Sequence, residues 1–461
     1  VSLRALIRSL NPLGSPSPLA AVLGMALLIA LAVTACSGPS HSTFTQLPPP
    51  PPGNPLALGT VSIQGSPYPC PTGWYFYTSP TGTNVPTNCL NATISCPNTQ
   101  DISLTFGTLN PVGIVSNITA AKGTIALFNG GGGGPLPGNF NSADNFFKAG
   151  YEVVQVAWAN NEDWEQAYFT ESGAANIQYA ACRPATILNY LYSNSGYYPG
   201  IFAANSSAGM CAYGVSAGSA AIAYSLVYYG AYQWLDNVEL VSGPVLSDIS
   251  QGCQVPNASP VTVCGLSNCS GSQCGCQLGG GSTWTLSPSY IQGTENFLTT
   301  WTGIASPACN SGASTSSENQ AWLNQSIVDQ STGASGQGTP PVYNFPHTSM
   351  SGWLCRSVVD NTGYNCAASH NGDGTVCPNN STPQGQIFYA NFGPNNLPGT
   401  NYAVYAVDNC IHAEGVEEGN VPGYQPAIFG GTIDGLSAVS DDMVGYTNGT
   451  QSIPAQCVRN H

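Results

Sequence analysis

An α/β fold, with a mostly parallel central sheet and helices on both faces, is what this sequence predicts, and three observations predict it. Short apolar runs alternate with helical stretches across residues 124–241, the βαβαβ rhythm that parallel neighbours require because each crossover needs a helix. The strand candidates are near-continuous in apolar residues, as strands covered on both faces are. A chain of 461 residues can also bury a large core.

Taken in order, residues 89–96 and 101–106 alternate like strands. Residues 124–128 (TIALF) form a short apolar run of the buried-strand kind, and a glycine run, 130–134, follows at once. Residues 143–150 are a helix candidate, and the valine-rich stretch 152–158 (EVVQVAW) is the next strand. Helical periodicity covers 174–192, a short strand 210–213, an alanine-rich helix 219–229 and another strand 238–241. The sheet resumes at 350–355 and 402–407, and a last helix is expected at 435–444. Between residues 250 and 340 the rhythm breaks into Cys-, Gly-, Ser- and Asn-rich sequence with helix candidates at 290–301 and 319–329. About ninety residues is too long for a bare loop, so this stretch is read as a disulfide-rich cap or lid inserted into the main domain.

The N-terminus reads differently. Arg4 and Arg8 precede an apolar run over 19–35, the pattern of a targeting segment. It closes as Val33-Thr34-Ala35-Cys36-Ser37, which resembles the lipobox of bacterial lipoproteins. The resemblance implies a signal peptide at 1–35, lipid attachment at Cys36, and an exported protein held to a membrane of the cell envelope. Residues 36–57, with prolines at every position from Pro48 to Pro52, read as an extended tether, and 58–461 as the main domain. Setting Cys36 aside leaves sixteen of the 17 cysteines, an even number that suits disulfides in an oxidising compartment. Cys264, Cys269, Cys274 and Cys276 are the nearest approach to a metal cluster, but no histidine lies nearby, and disulfides are the reading preferred.

Seven Lys plus Arg stand against 22 Asp plus Glu, a net charge of −15. Such a chain repels phosphate backbones, which argues against nucleic acid as a partner.

One motif carries chemistry. Gly214-Val215-Ser216-Ala217-Gly218 matches G-x-S-x-G and falls between a strand and a helix candidate, where a sharp turn would hold a serine oxygen exposed as a nucleophile. The following helix N-terminus would supply the Ala217 amide and a positive dipole end to an oxyanion. Gly130 and Gly131, directly after the 124–128 strand, are the other amide donors expected, since glycine lets the backbone approach a substrate closely. Of five histidines, His41 lies in the tether, His461 is terminal, His347 precedes a strand and His370 sits in a Cys-rich stretch. His412, just after the last strand, is the expected base. Asp360, beyond the 350–355 strand, is the preferred acid, with Asp248, Asp373 and Asp408 as rivals. This chemistry needs no metal and no cofactor. Tyr228, Tyr229, Tyr232, Trp234 and Trp353 could line an apolar pocket, although core packing is the more ordinary role for such residues.

Together, the glycine-rich loop, Gly214 to Ser219 (GVSAGS) and the late His412 resemble the α/β-hydrolase superfamily, carboxylesterases and lipases in particular. Asn129 stands where those enzymes often have histidine. The resemblance implies hydrolysis of a small-molecule or lipid ester by a Ser-His-Asp triad through an acyl-enzyme. A serine peptidase and a non-catalytic envelope binding or adhesion protein are the alternative expectations.

Overall fold

The computed structural model describes residues 55–131, 133–136, 141–159, 164–165, 177–193, 208–247, 249, 261–262, 283–284, 325–327, 345, 347–357, 388, 402–408, 443 and 457. Nine strands build one sheet: β1 (Thr60–Pro69), β2 (Asn88–Ser95), β3 (Ile102–Leu109), β4 (Gly123–Phe128), β5 (Glu152–Trp158), β6 (Gly209–Val215), β7 (Asn237–Val241), β8 (Ser349–Ser357) and β9 (Tyr402–Asp408). Their order is β1-β2-β3-β5-β4-β6-β7-β8-β9. The six strands from β4 to β9 run parallel, and β3, β2 and β1 extend the sheet by antiparallel pairing beyond β5. Strands β4, β5, β6 and β7 are buried at every position, which is why they read as mostly apolar runs.

Side chains alternate across the sheet and meet helices on each face. Four helices are described: α1 (Asn141–Lys148), α2 (Ile177–Ala180), α3 (Cys182–Ser193) and α4 (Ala217–Tyr229). Ile125, Leu127, Val153 and Tyr213 pack with Phe146 and Phe147 of α1 on one face. Ala126, Phe128, Val154 and Val156 pack with α3 and α4 on the other. All residues of α4 are buried, so this helix has no polar face to give it an amphipathic signature. It stops at Gly230, whose φ of 70° is the left-handed conformation of a helix C-cap.

The aromatic residues around α4 belong to the core. Tyr228, Tyr229, Trp234 and Trp353 are buried, Tyr232 is half-buried against Phe345, and Trp353 donates its indole N–H to the buried Glu239 carboxylate. Strand β1 was not among the expected elements. Gly65, Pro67 and Pro69 interrupt its pattern, and most of its side chains are exposed. Just before it, Leu56 donates its N–H to the Tyr228 carbonyl at 2.8 Å, and Leu56 and Leu58 pack on the core.

Three disulfides lie among the described residues, Cys70–Cys89, Cys96–Cys182 and Cys211–Cys457. Most of 250–340 falls outside the described residues, as do 36, 290–301 and most of 435–444. Between residues 250 and 340, 261–262 pairs with 283–284, and residues 325–327 sit on α4, where Tyr224 Oη donates to the Gln325 carbonyl at 2.6 Å.

Burial also fixes a pH limit. It pushes the Tyr151 phenol up to about 12, and it raises Tyr75 further with help from the neighbouring Asp144 carboxylate, which accepts the Tyr75 hydroxyl at 3.1 Å. A phenol whose folded pKa lies above its unfolded value near 10 contributes stability that is complete below about pH 10 and is lost as the pH rises toward 12. Tm should therefore fall through that window. Tyrosinate absorbance at 295 nm should appear in step with unfolding, and a Tm independent of pH from 9 to 12 would contradict the burial of these phenols.

Candidate active site

Strand β6 ends at Val215 and α4 begins at Ala217, so Ser216 is the single residue at which the chain reverses from strand to helix. Its φ of 53° and ψ of −112° are rare for a residue with a side chain. The neighbours over-determine this conformation. Ser216 donates its N–H to the Val241 carbonyl at the tip of β7 at 2.9 Å, and its own carbonyl accepts the N–H groups of Ser219 at 3.0 Å and Ala220 at 3.2 Å.

The flanking glycines are explained by what a Cβ would meet. At Gly214 it would lie 2.4 Å from the Gly218 carbonyl oxygen, and at Gly218 it would lie 2.2 Å from the Phe128 carbonyl oxygen. Both are closer than any backbone contact allows, so strand, turn and helix pack at this distance only with glycine in both places. Gly218 thereby brings α4 against the end of β4.

That close approach sets the glycine loop beside the serine. A Cβ on Gly130 would lie 3.3 Å from Ser216 Cβ and 3.9 Å from its Oγ. Asn129 pins the loop: its side-chain Nδ2 donates to the carbonyls of Gly134 and Pro135, both at 3.3 Å, and its Oδ1 accepts the Gly130 N–H at 2.8 Å. Gly130 is buried and Gly131 exposed. The loop closes with the Gly133 N–H on the Gly130 carbonyl at 3.0 Å and joins β5 through the Trp158 N–H on the Gly133 carbonyl at 2.8 Å.

A serine at positive φ between a parallel strand and a buried helix, with a glycine loop from the adjacent strand laid against it, decides the architecture. The chain has the α/β-hydrolase fold.

No protein-family model matches the sequence, and no curated protein matches it. Among solved structures the chain is similar to brefeldin A esterase, a bacterial homologue of human hormone-sensitive lipase, with 14% identity and a TM-score of 0.23 over 52% of this chain and 53% of that one. It is similar to acetyl xylan esterase 1 from Thermoanaerobacterium sp. JW/SL YS485, with 10% identity and a TM-score of 0.34 over 79% of this chain and 89% of the other. A lipase in its open form matches with 11% identity and a TM-score of 0.33 over 68% and 89%.

Within this α/β-hydrolase fold, Ser216, Ala217, Gly130 and Gly131 fall together at one edge of the sheet. Ser216 is buried, 7% exposed. Ala217 opens α4, whose own first turn carries no acidic residue to offset the positive end of the helix dipole. His412, Asp360, Asp248 and Asp373 lie outside the described residues. The strands that precede His412 and Asp360 are described: β8 ends at Ser357 and β9 at Asp408, parallel to β6 and at the same edge as Ser216. His347 is exposed just before β8 and therefore belongs to the opposite edge.

Two supporting residues had no signal in the sequence. Trp164, fully buried, donates its indole N–H to the Ala217 carbonyl at 3.0 Å. Arg183 of α3, also fully buried, donates to the Trp164 carbonyl at 3.0 Å and to the Gln100 carbonyl at 2.8 Å. The first turn of α4 is thus tied through Trp164 to α3 and to the loop before β3. The contacts span 53, 19 and 83 positions of sequence, too far apart for any local pattern to reveal.

Proposed function

We propose that this protein is an exported serine hydrolase that cleaves carboxylic esters. The observation that carries the reading is Ser216 held at positive φ against the glycine loop at the end of β4. In the mechanism, His412 takes the Ser216 proton, and Asp360 orients and stabilises the imidazolium that results. Ser216 Oγ attacks the ester carbonyl, and the backbone amides of Ala217, Gly130 and Gly131 receive the oxyanion. Because the Gly130 N–H rests on Asn129 Oδ1, its part in the oxyanion requires it to turn from the asparagine to the substrate. His412, now protonated, gives its proton to the departing alkoxide, and water then releases the acyl group by the same steps.

A lipid at Cys36 would hold the enzyme at a membrane of the cell envelope. Export is supported by the disulfides among the described residues, which persist in oxidising compartments. Matched substrates test the reaction: p-nitrophenyl butyrate, and p-nitroanilides of butyric acid and of short peptides. Turnover of the ester with kcat/KM at least about 100-fold above the anilides supports the esterase. Equal or faster cleavage of the peptide anilides would make it a peptidase, and no turnover of either would favour a binding protein.

A further inference from the structure

We propose that Ser219 is a positioning residue for the oxyanion: its hydroxyl fixes and polarises the peptide whose N–H, that of Ala217, meets the developing negative charge. The proposal rests on Ser216 being the nucleophile. The Ser216 carbonyl and the Ala217 N–H are the two ends of one planar peptide unit, so whatever holds the carbonyl aims the N–H. Ser219 Oγ donates to the Ser216 carbonyl at 2.5 Å, at the short end of O–H···O distances, alongside the backbone N–H groups of Ser219 and Ala220. Donation into the carbonyl draws electron density toward it and leaves the N–H at the other end a stronger donor.

Two features set this contact apart from an ordinary helical serine. Ser219 is fully buried and its hydroxyl fills the space where Gly243 has no side chain: a Cβ there would lie 1.9 Å from Ser219 Oγ. The packing beside β7 therefore reserves room for this oxygen. In addition, the peptide it holds joins a residue at positive φ to the first residue of α4, so the hydroxyl bond acts at the strand-to-helix turn rather than within the helix. Ser225, in the same helix and equally buried, makes the ordinary kind of bond, Oγ to the Ala221 carbonyl at 2.6 Å, two turns from the site.

That pair supplies the experiment. Ser219→Ala and Ser225→Ala each delete one buried hydroxyl bond to a carbonyl of α4, so a purely structural role gives both the same small loss of Tm and the same kinetics. The positioning role predicts that Ser219→Ala alone lowers kcat for p-nitrophenyl butyrate about tenfold at unchanged KM, a fraction of the 10²- to 10³-fold cost of losing an oxyanion donor outright. It also predicts that an arylboronic acid, which forms a tetrahedral anion on the nucleophile, binds Ser219→Ala about tenfold more weakly. Matching kinetics in the two variants, or a Ser219→Ala effect confined to KM, overturns the role of Ser219. A wild-type protein inert to both the ester and the boronic acid overturns the serine-hydrolase reading itself, and this proposal with it.

Discussion

Replacing Ser216 with alanine is expected to lower kcat for short-chain p-nitrophenyl esters by about 10⁴- to 10⁶-fold, the scale on which removal of a triad nucleophile acts. The same substitution should leave Tm within about 1 °C of wild type. Alanine keeps the Cβ that the turn already accommodates, and the bonds that hold the turn are made by backbone groups: the residue 216 N–H to Val241, and Ser219 and Ala220 to the residue 216 carbonyl. Loss of activity with unchanged stability separates chemistry from folding. Turnover that survives the substitution, measured after removal of any contaminating hydrolase, would exclude Ser216 as the nucleophile.

The second large effect concerns the disulfide between Cys211 and Cys457. Cys211 lies in β6, five residues before Ser216, and the bond spans 246 positions. In the chain-entropy description, cross-linking so long a loop removes about 5.5 kcal/mol of denatured-state freedom, just above the roughly 2–5 kcal/mol found when native disulfides are removed. The bond also anchors the C-terminal segment beside the core strands: the Cys457 N–H reaches the Met443 carbonyl at 3.0 Å, and Asn237 Nδ2 of β7 donates to Met443 Sδ at 3.5 Å. Replacing both cysteines with alanine should lower Tm by about 5 °C in a domain of this size. Ester turnover should be lost at a correspondingly lower temperature, while kcat at 20 °C is preserved. An unchanged Tm would mean that the C-terminal segment is held by its other contacts alone.

The sheet was legible because burial on both faces leaves little freedom in composition. Residues 124–128 and 152–158 are mostly apolar and β-branched, as strands covered on both faces are, and the structure places β4 and β5 there within a residue of the expected bounds. The helix at 219–229 begins two residues earlier, at Ala217, because the turn consumes only Ser216. Strand β1 escaped notice for the opposite reason: an exposed edge strand interrupted by Gly65, Pro67 and Pro69 carries no hydrophobic pattern to read.

At the site, Ser216 and its two glycines were legible because the turn chemistry is local, within five residues. The pinning of the glycine loop by Asn129, the indole of Trp164 and the gap at Gly243 depend on contacts between distant segments. None of them follows from residue type alone. Asn129 illustrates the difference: in sequence it is only a polar residue ahead of a glycine run, whereas in the fold its amide closes the loop.

The most direct test of the account is covalent. Folded, disulfide-intact protein incubated with a fluorophosphonate should gain the mass of one phosphonyl group, peptide mapping should place it on Ser216, and the Ser216→Ala variant should gain none. An adduct on a different serine, or no adduct on folded protein, would contradict the assignment of Ser216 as an activated nucleophile.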